Sequence, residues 1–140
     1  MILEDAILQY LSTFAPLVEL LGIQDSAPAV FTVLRPQAST LPCVLVTRTQ
    51  TERQTLFCGT DNLLAADFQI DSYASDGTVY DVAVQVRKAL LNYVGTMGTD
   101  SPGVYVDQVR LQNEFPLVDP DPGVIRMSQL FNFWYQEDQQ

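Results

Sequence analysis

Histidine is absent from the 140 residues, and cations are scarce: seven Lys and Arg stand against 17 Asp and Glu, a net charge of −10. Without imidazole there is no histidine-based catalytic triad, no histidine-ligated metal site and no imidazole general base. The seven cations (Arg35, Arg48, Arg53, Arg87, Lys88, Arg110 and Arg126) are scattered and form no footprint for a run of phosphates, so tight nucleic-acid binding is not expected. An acidic surface also repels anionic lipid, and no apolar run approaches the roughly 20 residues that cross a bilayer. The opening Met1-Ile2-Leu3-Glu4-Asp5 has neither the cationic start nor the cleavage site of a signal peptide, which predicts synthesis in a cytosol. No GxxxxGK(S/T) loop and no GxGxxG fingerprint occurs, so neither of those phosphate cradles is available. The two cysteines, Cys43 and Cys58, lie in apolar runs without CxxC spacing, and buried thiols are expected rather than a disulfide or a metal site.

Apolar residues make up 47% of the chain and charged residues 17%, a balance that favours folding over disorder. The length predicts one domain over residues 1–140, burying about 68–70% of its unfolded surface without staples. Leu3, Ala6, Ile7, Tyr10, Leu11 and Phe14 recur at three- and four-residue steps, which predicts an amphipathic helix over residues 2–14. Pro16 breaks it and opens a short second turn that Gly22 ends. Residues 29–34, flanked by Pro28 and Pro36, suit an edge strand or extended arm. The β-branched run 41–48 predicts a strand, the polar stretch 49–62 a hairpin loop carrying Phe57, and the alternation through 64–73 a strand with one wet face. After Ser75-Asp76-Gly77, the residues Val79, Ala83, Val86, Leu90 and Val94 share one face of a second helix closed by Gly95. Val104 and Val106 differ in parity from Val109 and Leu111, which predicts a bulge near Asp107-Gln108. A Pro/Asp loop over 115–122 then leads to a last strand over 124–136, apolar on both faces. The fold class is α+β: a mostly antiparallel sheet with the N-terminal helix and the second helix packed on it.

Candidate chemistry is thin. Asp67 and Asp71 share a strand face, with Asp107 on another strand, a pairing that could do acid/base work or hold Mg²⁺ but fits a solvated strand face better. Asp119-Pro120-Asp121-Pro122 reads as a stiff turn, and Cys43 lacks a histidine base to make it a nucleophile. No catalytic, cofactor-binding or metal-ligating residue is assigned, and no enzyme activity or cofactor is expected. The last strand directs Leu130 and Trp134 one way and Phe131, Phe133 and Tyr135 the other, more apolar surface than one layer of helices covers, which points to an interface.

These features together carry a resemblance. The Leu41-Pro42-Cys43-Val44-Leu45-Val46-Thr47-Arg48 strand and the strand Ala66-Asp67-Phe68-Gln69-Ile70-Asp71-Ser72-Tyr73-Ala74 are followed by the Val79/Ala83/Val86/Leu90 helix face. Val109-Arg110-Leu111-Gln112-Asn113-Glu114 and the aromatic last strand complete the pattern. From Leu3 to Tyr135 the chain resembles the tail completion proteins of tailed phages, also called tail-to-head joining or tail-terminator proteins. The resemblance implies a non-enzymatic virion subunit that forms a ring, in that family a hexamer. The ring caps the tail tube, joins the tail to the head-neck complex, and leaves a lumen through which genomic DNA passes without specific binding. Its implied partners are other copies of itself, the tail tube protein and a head-completion or neck protein, with no membrane. Its implied place is the tail or neck of the virion, assembled in the host cytoplasm. Exposure then suggests Arg53, Leu56 and Phe57 as a loop contacting tube or neck, and Phe131, Phe133 and Tyr135 as the surface between subunits. A neck or minor capsid component of similar fold and a small-molecule-binding α+β domain remain as alternatives.

Overall fold

Leu3, Ala6, Ile7 and Leu11 form the buried stripe of helix α1 (Leu3–Thr13), whose acidic first turn, Glu4 and Asp5, suits the positive end of its dipole. The computed structural model describes residues 2–24, 26–32, 40–53, 63–99 and 103–136, with Gln24 and Arg53 by backbone alone. Phe14 is extended and separates α1 from the one-turn α2 (Ala15–Val18), which carries Pro16 in its first turn, where a missing N–H costs no helical bond. A two-stranded ribbon, β1 (Ile23–Gln24) with β2 (Ala27–Pro28), leads into the short strand β3 (Val30–Thr32). The long strands β4 (Cys43–Arg53) and β5 (Leu63–Ala74) precede α3 (Thr78–Leu90). Strands β6 (Gly95–Met97), β7 (Val104–Val118) and β8 (Ile125–Gln136) follow.

Six strands form one sheet in the order β3-β4-β5-β8-β7-β6. Every pair is antiparallel except β3–β4, which is parallel. The fold is therefore α+β, with strands dominant and three helices. The N-terminal segment is held against the start of β4 at Gly22, whose N–H donates to Pro42 O at 2.9 Å and whose carbonyl accepts from Ala29 N at 3.0 Å. A Cβ at Gly22 would lie 2.3 Å from Thr40 Cγ2 and 3.0 Å from Leu41 O, so only glycine permits that approach.

The main core lies between one face of the sheet and the helices. It joins Leu3, Ile7, Leu11 and Leu17 to Val82, Val86 and Leu90 and to the rings of Phe68, Phe131 and Phe133. Phe133 meets Phe68 edge-on at 5.3 Å and Phe131 at 6.4 Å, the tilted geometry that aromatic quadrupoles favour. Tyr10 stacks edge-on against Tyr93 at 4.9 Å, and Gln9 Oε1 accepts from Thr99 N and Oγ1, so α1 is tied to the β6 edge of the sheet as well. Burial raises the Tyr10 phenol above its usual range, helped by neighbouring Tyr93. A small second cluster, Ala29, Cys43, Leu45 and Tyr73 with Phe31, Leu41 and Val124, covers part of the opposite face.

Several sequence expectations change. β4 continues to Arg53 where a loop was expected from 49, because Gln50, Thr51, Glu52 and Arg53 pair with Asp67, Ala66, Ala65 and Leu64 after a bulge between Arg48 and Gln50. α3 ends at Leu90 and not at Gly95: Leu91 is extended, Asn92 takes a left-handed φ of 64°, and Gly95 begins β6. β7 runs on to Val118 through residues expected to form a loop. It sits near the sheet edge, where Pro116 is tolerated. The expected bulge is present, between Val106 and Gln108, and a second lies between Leu111 and Asn113. The edge strand expected over 29–34 is seen as β3; residues 33–39 lie outside the described residues.

Candidate functional site

The antiparallel register sorts the long strands into rows of side chains that share a face. Val46, Ile70, Gln129 and Glu114 form one row on the helix side; Arg48, Phe68, Phe131 and Leu111 form the next. The other face carries Leu45, Asp71, Ser128 and Phe115, then Thr47, Gln69, Leu130 and Asn113. Beyond them come Gln50, Asp67, Asn132 and Arg110, and then Glu52, Ala65, Trp134 and Gln108. No described helix packs on this second face, and half of its upper-row side chains are amides or hydroxyls.

Its lower part holds a closed polar knot. Asp71 is 2% exposed and accepts from Ser128 Oγ, from Arg126 Nη2 at 2.9 Å and from Gln69 Nε2 at 3.1 Å. Arg126 also stands 5.7 Å from the Tyr73 ring centroid. Burial opposes the Arg126 charge, but the hydrogen bond and charge of Asp71 outweigh it and leave the guanidinium above its ordinary value. A buried carboxylate with this many donors locks β5 to β8; it has no free lone pair aimed at a substrate. The expectation of a solvated acidic face is thus corrected at Asp71. Asp67 bonds Asn132 Nδ2 at 2.8 Å on the same face, while Asp107 sits on the β7 bulge near Gln136 at the opposite end of the sheet, so the three aspartates do not converge. Among the described residues no group of three or more His, Cys, Asp or Glu side chains is placed to hold a metal ion. Nor is any described helix long and apolar enough to cross a membrane. Cys43 is buried in the second cluster; Cys58 lies outside the described residues.

The interface residues expected from sequence are placed differently. Phe131 and Phe133 are 0% exposed and Tyr135 7%: all three rings point to the helix side and belong to the main core. They are a surface within the subunit, because α1 and α3 cover that face; Tyr135 OH even accepts from Arg48 Nη1 at 3.0 Å. The exposure expected of these three side chains is absent. Leu130 and Trp134, on the other parity, face the side without helices. Arg53 ends β4 opposite Leu64, and Leu56 and Phe57 lie outside the described residues.

Exposed apolar surface appears instead where sequence analysis placed a loop. At the end of the β7–β8 hairpin, Val118 is 95% exposed, and its partner Ile125 and its neighbour Leu117 are exposed too. Asp119 and Asp121 close the turn, with Asp119 Oδ1 accepting from Asp121 N at 2.9 Å and Asp121 Oδ1 from Gly123 N at 3.1 Å. The only hint in the sequence was an apolar Leu117-Val118 pair directly before an Asp/Pro turn. Of the five cations whose side chains are described, three are committed within the chain: Arg48 to Glu4, Arg87 to Glu114 and Arg126 to Asp71.

A chain in the virion of a native gene transfer agent (GTA) particle superposes with a TM-score of 0.70 at 17% identity, covering 96% of this chain and 95% of that one. A second solved structure covers both chains completely with a TM-score of 0.56 at 12% identity. At such identities the likeness is one of fold. No curated protein matches the sequence. The family model described as tail completion protein gp17 matches residues 5–136, and the chain belongs to that family.

Proposed function

We propose that this chain is a non-enzymatic virion subunit that caps the tail tube as a homo-oligomeric ring, a hexamer, and joins the tail to the head-neck complex while leaving a lumen for DNA. Membership of the tail completion family supports the structural role. The observation that carries the joining role is the layout of the long strands. The β4 end, the β5 start and Gln136 lie at one end of the sheet; the β7–β8 turn and the β5 end lie at the other. Twelve-residue strands separate these ends by about 40 Å at roughly 3.3 Å per residue, so one subunit offers two distant contact ends. The two lateral edges of the sheet differ, β3 and β4 on one side and β6 and β7 on the other, which suits the heterologous contacts of a cyclic ring.

The face without helices supports the DNA-passage reading. Its upper rows mix Thr, Gln and Asn with isolated charges and with Leu130, Ala65 and Trp134, and Arg110 is its one described cation without an ion pair, so a polyanion meets no row of cations to hold it. Light scattering of the purified protein at several concentrations, followed by co-sedimentation with polymerised tail tube protein, tests the reading. A ring mass or tube-dependent assembly is expected. A monomer at every concentration that ignores the tube would sink it, and capture by a portal-side protein alone would move the subunit into the neck.

A further inference from the structure

We infer that the end of the β7–β8 hairpin is a docking surface for an apolar segment with a basic rim on a neighbouring virion protein, and not for a second copy of this chain. The inference rests on the tail-completion reading and adds to it a partner chemistry and a place. Val118 and Ile125 are directly paired and point to the helix side, while Leu117 points to the other face beside Arg126, so the hairpin end is apolar on both sides. α3 extends the same surface. Arg87 reaches β7 at Glu114 Oε2, 3.1 Å away, and Tyr80, seven residues earlier, shares that flank of the helix. The bond from Gln129 Nε2 to Ala83 O sets the level of α3, which places the exposed Tyr80 one turn nearer the hairpin end. Isolated exposed apolar residues need no explanation, but Tyr80, Leu117, Val118 and Ile125 converge on one end of one sheet.

Charge selects the occupant. The rim is acidic: Asp119 and Asp121 in the turn, Asp76 just after β5, and Asp81 in the first turn of α3. A second copy brings a net charge of −10, and its described cations are spent on Glu4, Glu114 and Asp71 apart from Lys88 and Arg110. An apolar contact ringed by Lys or Arg on a different polypeptide complements this surface; another acidic subunit does not.

The test compares Val118→Asp with Val118→Lys in the full chain, since a side chain this exposed can be changed without unfolding the subunit. Binding is measured against two probes separately, polymerised tail tube protein and purified neck protein, with the mass of the free protein followed by light scattering. For one probe, Val118→Asp is expected to weaken binding roughly tenfold and Val118→Lys several-fold more, with wild-type binding weakening as salt rises; melting temperature and mass stay unchanged. Unchanged binding by both variants overturns the docking site. A loss with Asp equal to or larger than that with Lys overturns the basic partner, and a change of mass reassigns the surface to contacts between copies. A wild-type protein that binds neither probe overturns the tail-completion reading, and this inference with it.

Discussion

Arg48 Nη2 lies 2.5 Å from Glu4 Oε1, joining the first turn of α1 to the centre of β4. The guanidinium also stands 5.3 Å from the Phe68 centroid and donates to Tyr135 OH and Thr51 Oγ1, so one half-buried cation serves a helix, three strands and two rings. Burial disfavours its charge, yet the bonds to Glu4 and Tyr135 hold it above its ordinary value. Arg48→Met is expected to cost about 1–3 kcal/mol in urea unfolding. In a double-mutant cycle with Glu4→Gln the coupling should be about 1 kcal/mol, since both side chains remain partly wet. A coupling near zero would mean that the pair is held together without stabilising the fold.

Asp71 makes a sharper case. Asp71→Ala strands the Arg126 guanidinium and the fully buried Ser128 hydroxyl, and is expected to destabilise by about 3–5 kcal/mol. The triple change Asp71→Leu, Arg126→Met, Ser128→Ala should recover most of that loss, because a repacked apolar knot leaves no buried group unpaired. If the single and triple variants unfold at the same urea concentration, the penalty is one of shape and not of an orphaned charge.

Phe131→Ala and Val118→Ala separate core from surface on neighbouring strands. The first opens a cavity among Phe133, Phe68 and the helices and should cost about 3–5 kcal/mol; the second should stay within about 0.5 kcal/mol. Thermal melts of the two proteins side by side decide it, and equal losses would contradict the burial described above.

At the start of α3, Asp76 Oδ1 accepts from Thr78 N at 2.9 Å, and its bonds to the Thr78 side chain and backbone hold the carboxyl below the usual carboxylate value of 3.8. A depressed folded pKa gives stability that is present above the unfolded value and lost as pH falls through the folded one. Asp76→Ala should therefore melt below wild type at pH 7, with the gap closing below about pH 3.8. A gap that persists at pH 2 would assign the effect to backbone preference and not to the charged cap.

Gly22→Ala should destabilise by about 1–3 kcal/mol, because the new methyl meets Thr40 and the Leu41 carbonyl where the chain crosses the start of β4. Adding Thr40→Ser, which removes the clashing Cγ2, should restore part of the loss in the same denaturation assay.

Periodicity read well where burial is one-sided. The Leu3/Ala6/Ile7/Leu11 stripe and the parity switch at the β7 bulge stand in the structure as the spacing predicts, whereas the expected wet face of β5 is partly open only at Asp67 and Gln69, with Ala65, Asp71 and Tyr73 buried. It failed where strands are wet. Gln50, Thr51 and Glu52 carry no apolar alternation, so their pairing with β5 is set by the partner strand and not by their own residues. The face of β8 was the costliest ambiguity. Both parities are apolar, and which one the helices cover is decided by tertiary packing: Phe131, Phe133 and Tyr135 went inward, and Leu130 and Trp134 did not. Likewise Asp71 reads as solvent-facing by parity until Arg126 and Ser128, more than fifty residues on, close over it.

The sheet order has a consequence for how a chain comes off the ribosome. β8 lies between β5 and β7, so the last of the described strands to be made is inserted between two made before it. Until it emerges, Phe68 on β5 lacks the Phe133 ring it packs against, and β7 and β6 have no strand pairing to the rest of the sheet. Nascent or truncated chains thus remain client-like, open to chaperones and proteases, and the two ends of the sheet come into register only in a chain that carries β8. A particle that counts its parts by docking them would, by this topology, admit only finished copies.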